Sequence, residues 1–340
     1  MKMLHILTLL LPVLAAGEVQ GAAFTLDKGY LRQDGAIVTL HNANDIIDPY
    51  FPTKALLLAH DHGMDIQELG LRWVNWMLVH QQNNGLFARY CIDEQQMVYH
   101  ACKVSDADDS MLSMWMELLY RLAPDAGLSE PWAVSFHKAE AQLDLLYDSK
   151  KNIYVISQAL PVGLLMDNVE IYAAFKRIEA DARRMNDRQT AEYFERKAAK
   201  LRIGIIKTFW RQSTKRFVAS TQARTEYAFY PDKVAQLIPA AYHLHMGFVR
   251  GSQKQYKLWM RSNQAEWFGQ IGKEYPWGLL AVLAANKNDI KTSYCWYMKA
   301  MPERHGPYWS VMDEAAFQVV ERSINDNRAN KPMTCEGPRV

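Results

Sequence analysis

Six stretches of this 340-residue chain set acids or aromatic rings just ahead of an apolar run. They are Asp48-Pro49-Tyr50-Phe51, Asp106-Ala107-Asp108-Asp109, Asp167-Asn168-Val169-Glu170, Tyr230-Pro231-Asp232, Tyr275-Pro276-Trp277, and Tyr308-Trp309 leading to Asp313-Glu314. A positioned carboxyl group can give or take a proton in a transition state. Two of them on opposite sides of a glycosidic bond, with flat rings to stack on sugars, are the equipment for cleaving that bond. From Asp48 to Asp108 is 60 residues, from Asp108 to Asp167 is 59, from Asp167 to Asp232 is 65, and the later gaps shorten. A period of that size fits one helical hairpin with its loops. If alternate helices start at one face, acids and rings from distant parts of the chain share one mouth.

The elements that would position these residues read mainly as helices. Phe51, Ala55, Leu58 and Ala59 share one face of a helix over about 50–61, which Gly63 can end. Leu69, Trp73, Trp76, Met77 and His80 mark a second over about 65–82, followed by the turn Asn83-Asn84-Gly85. Met111, Leu112, Trp115, Leu118 and Leu119 mark the clearest helix, which Ser105 or Asp106 can cap. Its partner starts near Pro131 and runs to about 147. Further helices are expected near 164–185, 187–210, 231–248, 252–262, 276–286, 288–301 and 309–324, before a polar tail. Strands are few: residues 36–40 are the best candidate, residues 85–91 and 96–102 could pair around Asp93-Glu94, residues 150–161 read as extended, and residues 216–221 and 225–230 as a loop or hairpin. Apolar helices with acidic or aromatic starts alternate with more charged, outer ones. The pattern predicts an all-α (α/α)6 barrel with a few short strands in loops. No linker divides the chain, so one domain is expected over 24–340.

The other bounds are simple. Residues 1–23 read as a signal peptide, with Lys2 ahead of an apolar run too short to span a bilayer, and small residues after it. A periplasmic or secreted protein with no membrane span after signal removal is expected, working as a monomer. The net charge of +2 lacks the basic excess of a nucleic-acid binder. Of the four cysteines, Cys91 and Cys102 flank a short segment and are expected to pair, with Cys295 and Cys335 a second option. No paired C-x-x-C spacing suggests zinc, and His60/His62 and His243/His245 are two apart, a poor helical ligand spacing. No metal and no cofactor are expected. Phosphate loops, calcium loops and the Gly-x-Ser-x-Gly elbow are missing from the sequence. Taken singly, each helix-start acid is most simply a cap. Three acids within Asp106–Asp109 exceed what one helix start needs, and crowding raises carboxyl pKa values toward general-acid range.

The stretch VSDADDSMLSMWMELL, residues 104–119, resembles the motif SDGDVWMAWSLL of family-8 glycoside hydrolases, which include the endoglucanases of bacterial cellulose-synthesis operons. QIGKEYPWGLLAVLAA and DNVEIYAAFKRI are similar to pieces of six-hairpin glycosidases more widely. The resemblance implies an (α/α)6 barrel and an inverting hydrolase. It implies Asp48 as general acid, Asp108 as the acid under the sugar and Asp232 as base. The family's acid is a Glu in a Ser-Glu-Gly setting, whereas this chain has Asp48 within IIDPYFP.

The sequence therefore predicts a glycoside hydrolase acting on a polysaccharide, with a link to exopolysaccharide secretion machinery as a further option. Asp48, Asp108 and Asp232 are the expected catalytic acids. Tyr50, Asp109, Asp167, Glu170, Trp277, Tyr308 and Trp309 are expected to bind substrate. The rival readings are a lyase or epimerase on the same barrel, using Tyr50, His62, Tyr172 or His243/His245, and a non-catalytic polysaccharide-binding protein.

Overall fold

The computed structural model describes residues 21–42, 46–93, 98–223, 226–244, 252–327 and 334–335. Most of the expected signal peptide lies outside the described residues, as do Glu94 and His245. No described helix is long and apolar enough to cross a membrane.

Six chain segments form a closed inner ring. They are α1 (Tyr50–Asp61), α3 (Asp108–Leu122), α5 (Leu165–Arg184), α7 (Ile238–Ala241), α9 (Gly278–Asn286) and α11 (Val311–Asn327). Contacts run α1 to α3, α3 to α5, α5 to α7, α7 to α9, α9 to α11 and α11 back to α1. Outer helices alternate with them: α2 (Gln67–His80), α4 (Glu130–Leu145), α6 (Arg188–Phe209), α8 (Ser252–Gln270) and α10 (Ile290–Ala300). This is the expected all-α barrel, and the helix periods explain it. The inner α3 buries nearly every residue from Asp109 to Leu122, whereas α6 alternates a buried stripe of Phe194, Ala198, Leu201 and Ile205 with exposed charge. Among the described residues α11 has no outer helix. The segment 21–42 lies against it instead, with Gln318 Nε2 donating to Thr25 O at 2.7 Å and Val311 N to Thr39 O at 2.9 Å.

The strands are short and serve the loops. β1 (Ile46–Ile47), β2 (Ala88–Asp93) and β3 (Val98–Val104) form one antiparallel sheet, and Cys91 is bonded to Cys102 across its hairpin. Cys295 is bonded to Cys335. β4 (Tyr147–Asp148) pairs with β5 (Ile153–Tyr154), and β6 (Trp210–Arg211) with β7 (Arg216–Phe217).

Four expectations need correction. Residues 36–40 form only isolated bridges, Leu31 with Ile37 and Leu40 with Ser310, because their partners are single residues of loops. The helix expected over 231–248 is reduced, among its described residues up to Leu244, to a π-turn (Phe229–Lys233) and the one-turn α7. Tyr230 is non-helical there, and Pro231 and Pro239 each remove a backbone donor. The helix expected over 252–262 runs on to Gln270. Neither Ser105 nor Asp106 caps α3. Ala107 precedes it, and the Asp106 carboxylate pairs with Arg89 at 2.8 Å, because a guanidinium is a stronger partner than an amide.

Candidate functional site at the mouth of the barrel

The starts of the inner helices surround a cleft of about 680 Å³. All six acidic or aromatic stretches reach its lining: Asp48, Tyr50 and Phe51 from the first, Asp106 from the second, Asp167 from the third, Tyr230 from the fourth, Tyr275 and Trp277 from the fifth, and Asp313 from the sixth. The return loops fix these starts. Asp108 N donates to Ile156 O at 3.0 Å, and Asn168 clamps Tyr154 by its Nδ2 and Oδ1, at 2.9 and 2.7 Å.

Each lining acid has its own environment. Asp48 is buried and accepts from Tyr50 N at 3.2 Å, a turn contact just ahead of α1, whose cap position is Pro49. Burial raises its pKa against the pull of Arg89, whose Nε lies 3.1 Å away. Arg89, carried in by β2, lies between Asp48 and Asp106. Asp313 is 1% exposed; burial raises it to about 6, while Ser310 Oγ at 2.6 Å and Gly278 N at 2.9 Å hold its two oxygens. A Cβ on Gly278 would stand 2.6 Å from Ala316 Cβ, so only glycine lets α9 start this close to α11. Asp167 is raised well above the usual carboxylate range by burial and by the neighbouring Asp109 and Glu170. Asp109 is fully buried and raised to about 7, by burial first. One oxygen of each, Oδ2, is buried without a hydrogen-bond partner. Burial and mutual repulsion thus both favour the protonated form of these two carboxyls.

Aromatic rings form the walls. Tyr230 lies over Trp277 at 4.9 Å, and Phe51 stacks with Tyr275 at 6.2 Å. Trp277 sits at φ 53°, in the left-handed region that a residue with a side chain seldom adopts. The preceding carbonyl, Pro276 O, is held by two indoles, Trp267 at 3.0 Å and Trp296 at 2.9 Å. That clamp sustains the unusual backbone and aims the Trp277 ring into the cleft.

Lys54 lies one turn below Tyr50 on α1 and is 5% exposed. It donates to Tyr50 Oη at 2.6 Å and to Glu170 Oε1 at 2.5 Å; Tyr50 and Tyr242 also donate to Glu170, at 3.1 and 3.3 Å. Lys54 also lines a second, inner cavity of about 420 Å³, with Glu117, Glu170, Arg177, Tyr242, His62 and Asn286 among its walls. The Lys54–Glu170 pair thus forms the floor between the mouth and the barrel interior.

Of the expected catalytic acids, Asp48 lines the cleft, whereas Asp108 and Asp232 are not in its lining. Burial raises Asp108 to about 6, and the Asp232 carboxylate accepts from Ala228 N at 3.0 Å. Of the expected binding residues, Tyr50, Asp167 and Trp277 line it; Asp109 and Glu170 are buried behind or beneath it. Trp309 is a core residue, 1% exposed, donating to Glu314 at 3.1 Å, and Tyr308 lies outside the cleft. His62 Nδ1 donates to Leu58 O at 2.9 Å and Nε2 meets Asn286 Nδ2 at 3.2 Å, away from the mouth. Sequence reasoning missed Lys54 and Arg89 as cleft residues. The signal for Lys54 was a lone cation in an apolar helix, four residues from Tyr50. Among the described residues, the group of His, Asp or Glu side chains close enough to share a metal lies outside the cleft: Asp27, His41 and His305.

No family profile and no curated protein sequence matches the chain. Solved structures do. A glycosidase superposes with a TM-score of 0.56 at 10% identity, over 87% of this chain and 93% of its own. An alpha-amylase from Clostridium perfringens gives 0.53 at 10% identity, over 87% and 94%. A rhamnosidase from Klebsiella oxytoca with rhamnose bound gives 0.52 at 10% identity, over 80% of this chain and 57% of that one, so this chain spans just over half of that protein's length. At such identity the likeness is one of fold: the chain has the helical barrel of glycosidase-type enzymes.

Proposed function

We propose that this protein is a glycoside hydrolase that cleaves a polysaccharide in the mouth of its barrel by an inverting acid/base mechanism. The supporting observation is the convergence of all six helix-start stretches on one cleft, where buried acids face aromatic walls. The ring order suggests the pair. α5 and α11 stand three places apart in a ring of six, so Asp167 and Asp313 start from opposite walls. Opposed carboxyls with room for a water between them and the sugar are what inversion requires.

Environment assigns the roles. Asp167, kept protonated by burial beside Asp109 and Glu170, is the general acid and gives its proton to the glycosidic oxygen. Asp313, near 6, is ionised at neutral pH and takes a proton from the water that attacks the anomeric carbon from the opposite face. The bond from that carbon to the leaving oxygen breaks as the bond to water forms. Solvent exchange then restores both protonation states. Asp48 and Arg89 bind sugar hydroxyls, and the pairs Tyr230–Trp277 and Phe51–Tyr275 hold sugar rings. Asp108 and Asp232 act from behind the lining, Asp232 by holding the Ala228 amide beside Tyr230. Residues 1–23 serve as an export signal, which places the enzyme where polysaccharides are met.

The test is a panel of bacterial and plant polysaccharides read by new reducing ends, with the product anomer followed by NMR. A hydrolase releases reducing ends without ultraviolet absorption. An unsaturated, absorbing product would replace this reading with a lyase. Retardation of a polymer in an affinity gel with no cleavage of any substrate would replace it with a binding protein.

A further inference from the structure

We infer that the inner cavity, beneath the Lys54–Glu170 floor, is a binding site for a small uncharged polyol of the size of a single sugar ring. The cavity measures about 420 Å³, within the range of roughly 300–1,000 Å³ usual for small-ligand pockets. Its described lining begins at His243, just past α7, and Asn286, the last residue of α9, both exposed. It ends at Glu117, Glu170 and Lys54, which are 1%, 2% and 5% exposed. The floor separates it from the mouth, so a ligand held here is distinct from one bound in the cleft.

The polar groups of the wall select the ligand. Glu117 Oε1 is buried with no hydrogen-bond partner. The nearest guanidinium nitrogens, on Arg177 and Arg121, stay at 3.5 and 3.6 Å, too far for a good hydrogen bond. A buried acceptor in this state gains from a donor brought to it. Charge, in contrast, is already balanced. Lys54 matches Glu170, while Arg121, Arg177 and Arg184 match Asp61, Glu117 and Asp181. An ion entering here would lose its own water and find no unmatched opposite charge. An uncharged molecule keeps the balance. A hydroxyl both donates and accepts, so one group can give its proton to Glu117 and take one from Arg177. The rest of the wall includes the aliphatic Leu57, Leu58, Val282 and Leu283. Those side chains suit the C–H faces of a ring whose rim carries the hydroxyls.

The cavity also touches the mouth's own supports. Lys54 lines both spaces, and its ammonium reaches Tyr50 Oη and Glu170 Oε1 at 2.6 and 2.5 Å. A polyol against Glu170 therefore meets the same network that holds Tyr50 in the cleft.

The experiment titrates the full chain by calorimetry with D-glucose, D-galactose, D-mannose and N-acetyl-D-glucosamine, each alone, with melting followed in parallel. It is run on wild type and on Trp277→Gly, whose mouth has lost a ring. The expected result in both is saturable binding of at least one of these sugars, one per chain in Trp277→Gly, with a Tm that rises with sugar concentration. In the Trp277→Gly background, Leu58→Trp puts an indole into the cavity and should weaken that binding by about tenfold or more. Asn286→Trp, at the exposed rim and clear of the core, should weaken it too, and stands in if Leu58→Trp does not fold. No saturable binding of any of the sugars would overturn the proposal and leave the cavity to water. So would binding that disappears in Trp277→Gly, which belongs to the mouth, or binding unchanged in a folded Leu58→Trp or Asn286→Trp. Tighter uptake of inorganic phosphate or putrescine, lost in Leu58→Trp, would overturn the uncharged class. Each outcome is read from binding, so it stands whether or not the mouth cleaves a polysaccharide.

Discussion

At the far end of the barrel, where the inner helices finish, the buried acids Glu117 and Asp181 and the more exposed Asp61 have arginines. Asp61 pairs with Arg177 and, at 3.4 Å, with Arg121; Glu117 has Arg177 and Arg121 at 3.5 and 3.6 Å; Asp181 has Arg121 at 3.2 Å and Arg184 at 3.6 Å. At the mouth, Asp167 has other carboxyls as its strongest influences after burial, and Asp313 has a hydroxyl and an amide. Burial pushes up acids at both ends, Glu117 to about 7 and Asp313 to about 6. The difference is in the compensation. A closed network of guanidinium pairs resists removal of any member, because the partners left behind are buried charges. An acid held by neutral groups, or crowded by other carboxyls, can take or give a proton without breaking an ion pair. The same residue types therefore read as structure at one end and as chemistry at the other.

The largest expected effect tests that division directly. Asp167→Asn and Asp313→Asn should each lower turnover on the order of 10²–10⁴-fold, the usual contribution of a positioned acid or base. Neither should lower Tm. For Asp313 the sign follows from its raised pKa. Below about 3.8 the unfolded and folded chains are both protonated; between there and about 6 only the unfolded chain has lost the proton, so stability falls as pH rises through that window. Asn at 313 removes this penalty and should stabilise the protein at pH 7 by on the order of 1–3 kcal/mol while it abolishes activity. In the wild type, turnover should rise with pH through about 6 as the base ionises. Asp232→Asn provides the contrast, with turnover per folded molecule close to wild type. Loss of turnover in Asp232→Asn, with Asp313→Asn unimpaired, would move the base back to the position that the family-8 resemblance implies.

Arg177→Met should do the reverse at the far end. It leaves Glu117 buried with fewer partners, at a cost of about 3–5 kcal/mol in stability. Turnover per folded molecule should hold, measured well below the lowered Tm. A variant that melts normally but loses turnover would show that the inner cavity takes part in the reaction.

What the sequence could and could not reveal follows from the same contrast. Acids and rings at helix starts recur with the hairpin period, so the six stretches and the barrel were legible, and the cleft they line came with them. Lys54 and Arg89 were not, because their partners Glu170 and Asp48 are 116 and 41 residues away, and no local pattern predicts such pairs. Tyr308-Trp309 looked like a stacking pair, but Trp309 faces the core, packed near Trp296 and Phe317. Composition does not distinguish a buried ring from a lining ring. The fourth inner helix was overread, since an apolar run with two prolines keeps its burial but loses most of its helix.

The hairpin that delivers Arg89 is closed by Cys91–Cys102. Replacing both cysteines with serine should cost roughly 2–3 kcal/mol, as expected for a short closed loop. It should also weaken substrate binding more than turnover, since Arg89 serves Asp48 and Asp106 rather than the reacting acids. Alkylation of the unreduced, denatured wild-type chain should leave both thiols unmodified; labelling of either would remove the premise.

The smallest expected effect concerns the walls. Trp277 has a ring to stack on a sugar and a backbone at φ 53° that favours glycine. Trp277→Gly therefore removes the ring while keeping the backbone in a conformation glycine adopts freely. Trp277→Ala removes the same ring and retains the strain. If Trp277 is a binding residue, both variants should raise KM about tenfold, equivalent to about 1.4 kcal/mol, with kcat within a few fold of wild type. They should differ in Tm, with the glycine variant the more stable. The ring also packs on Tyr230, so a purely structural role predicts a different outcome: Tm falls in both variants and KM stays where it was. A rise in KM shared by both, beside a Tm difference between them, separates the sugar platform from the wall that supports it.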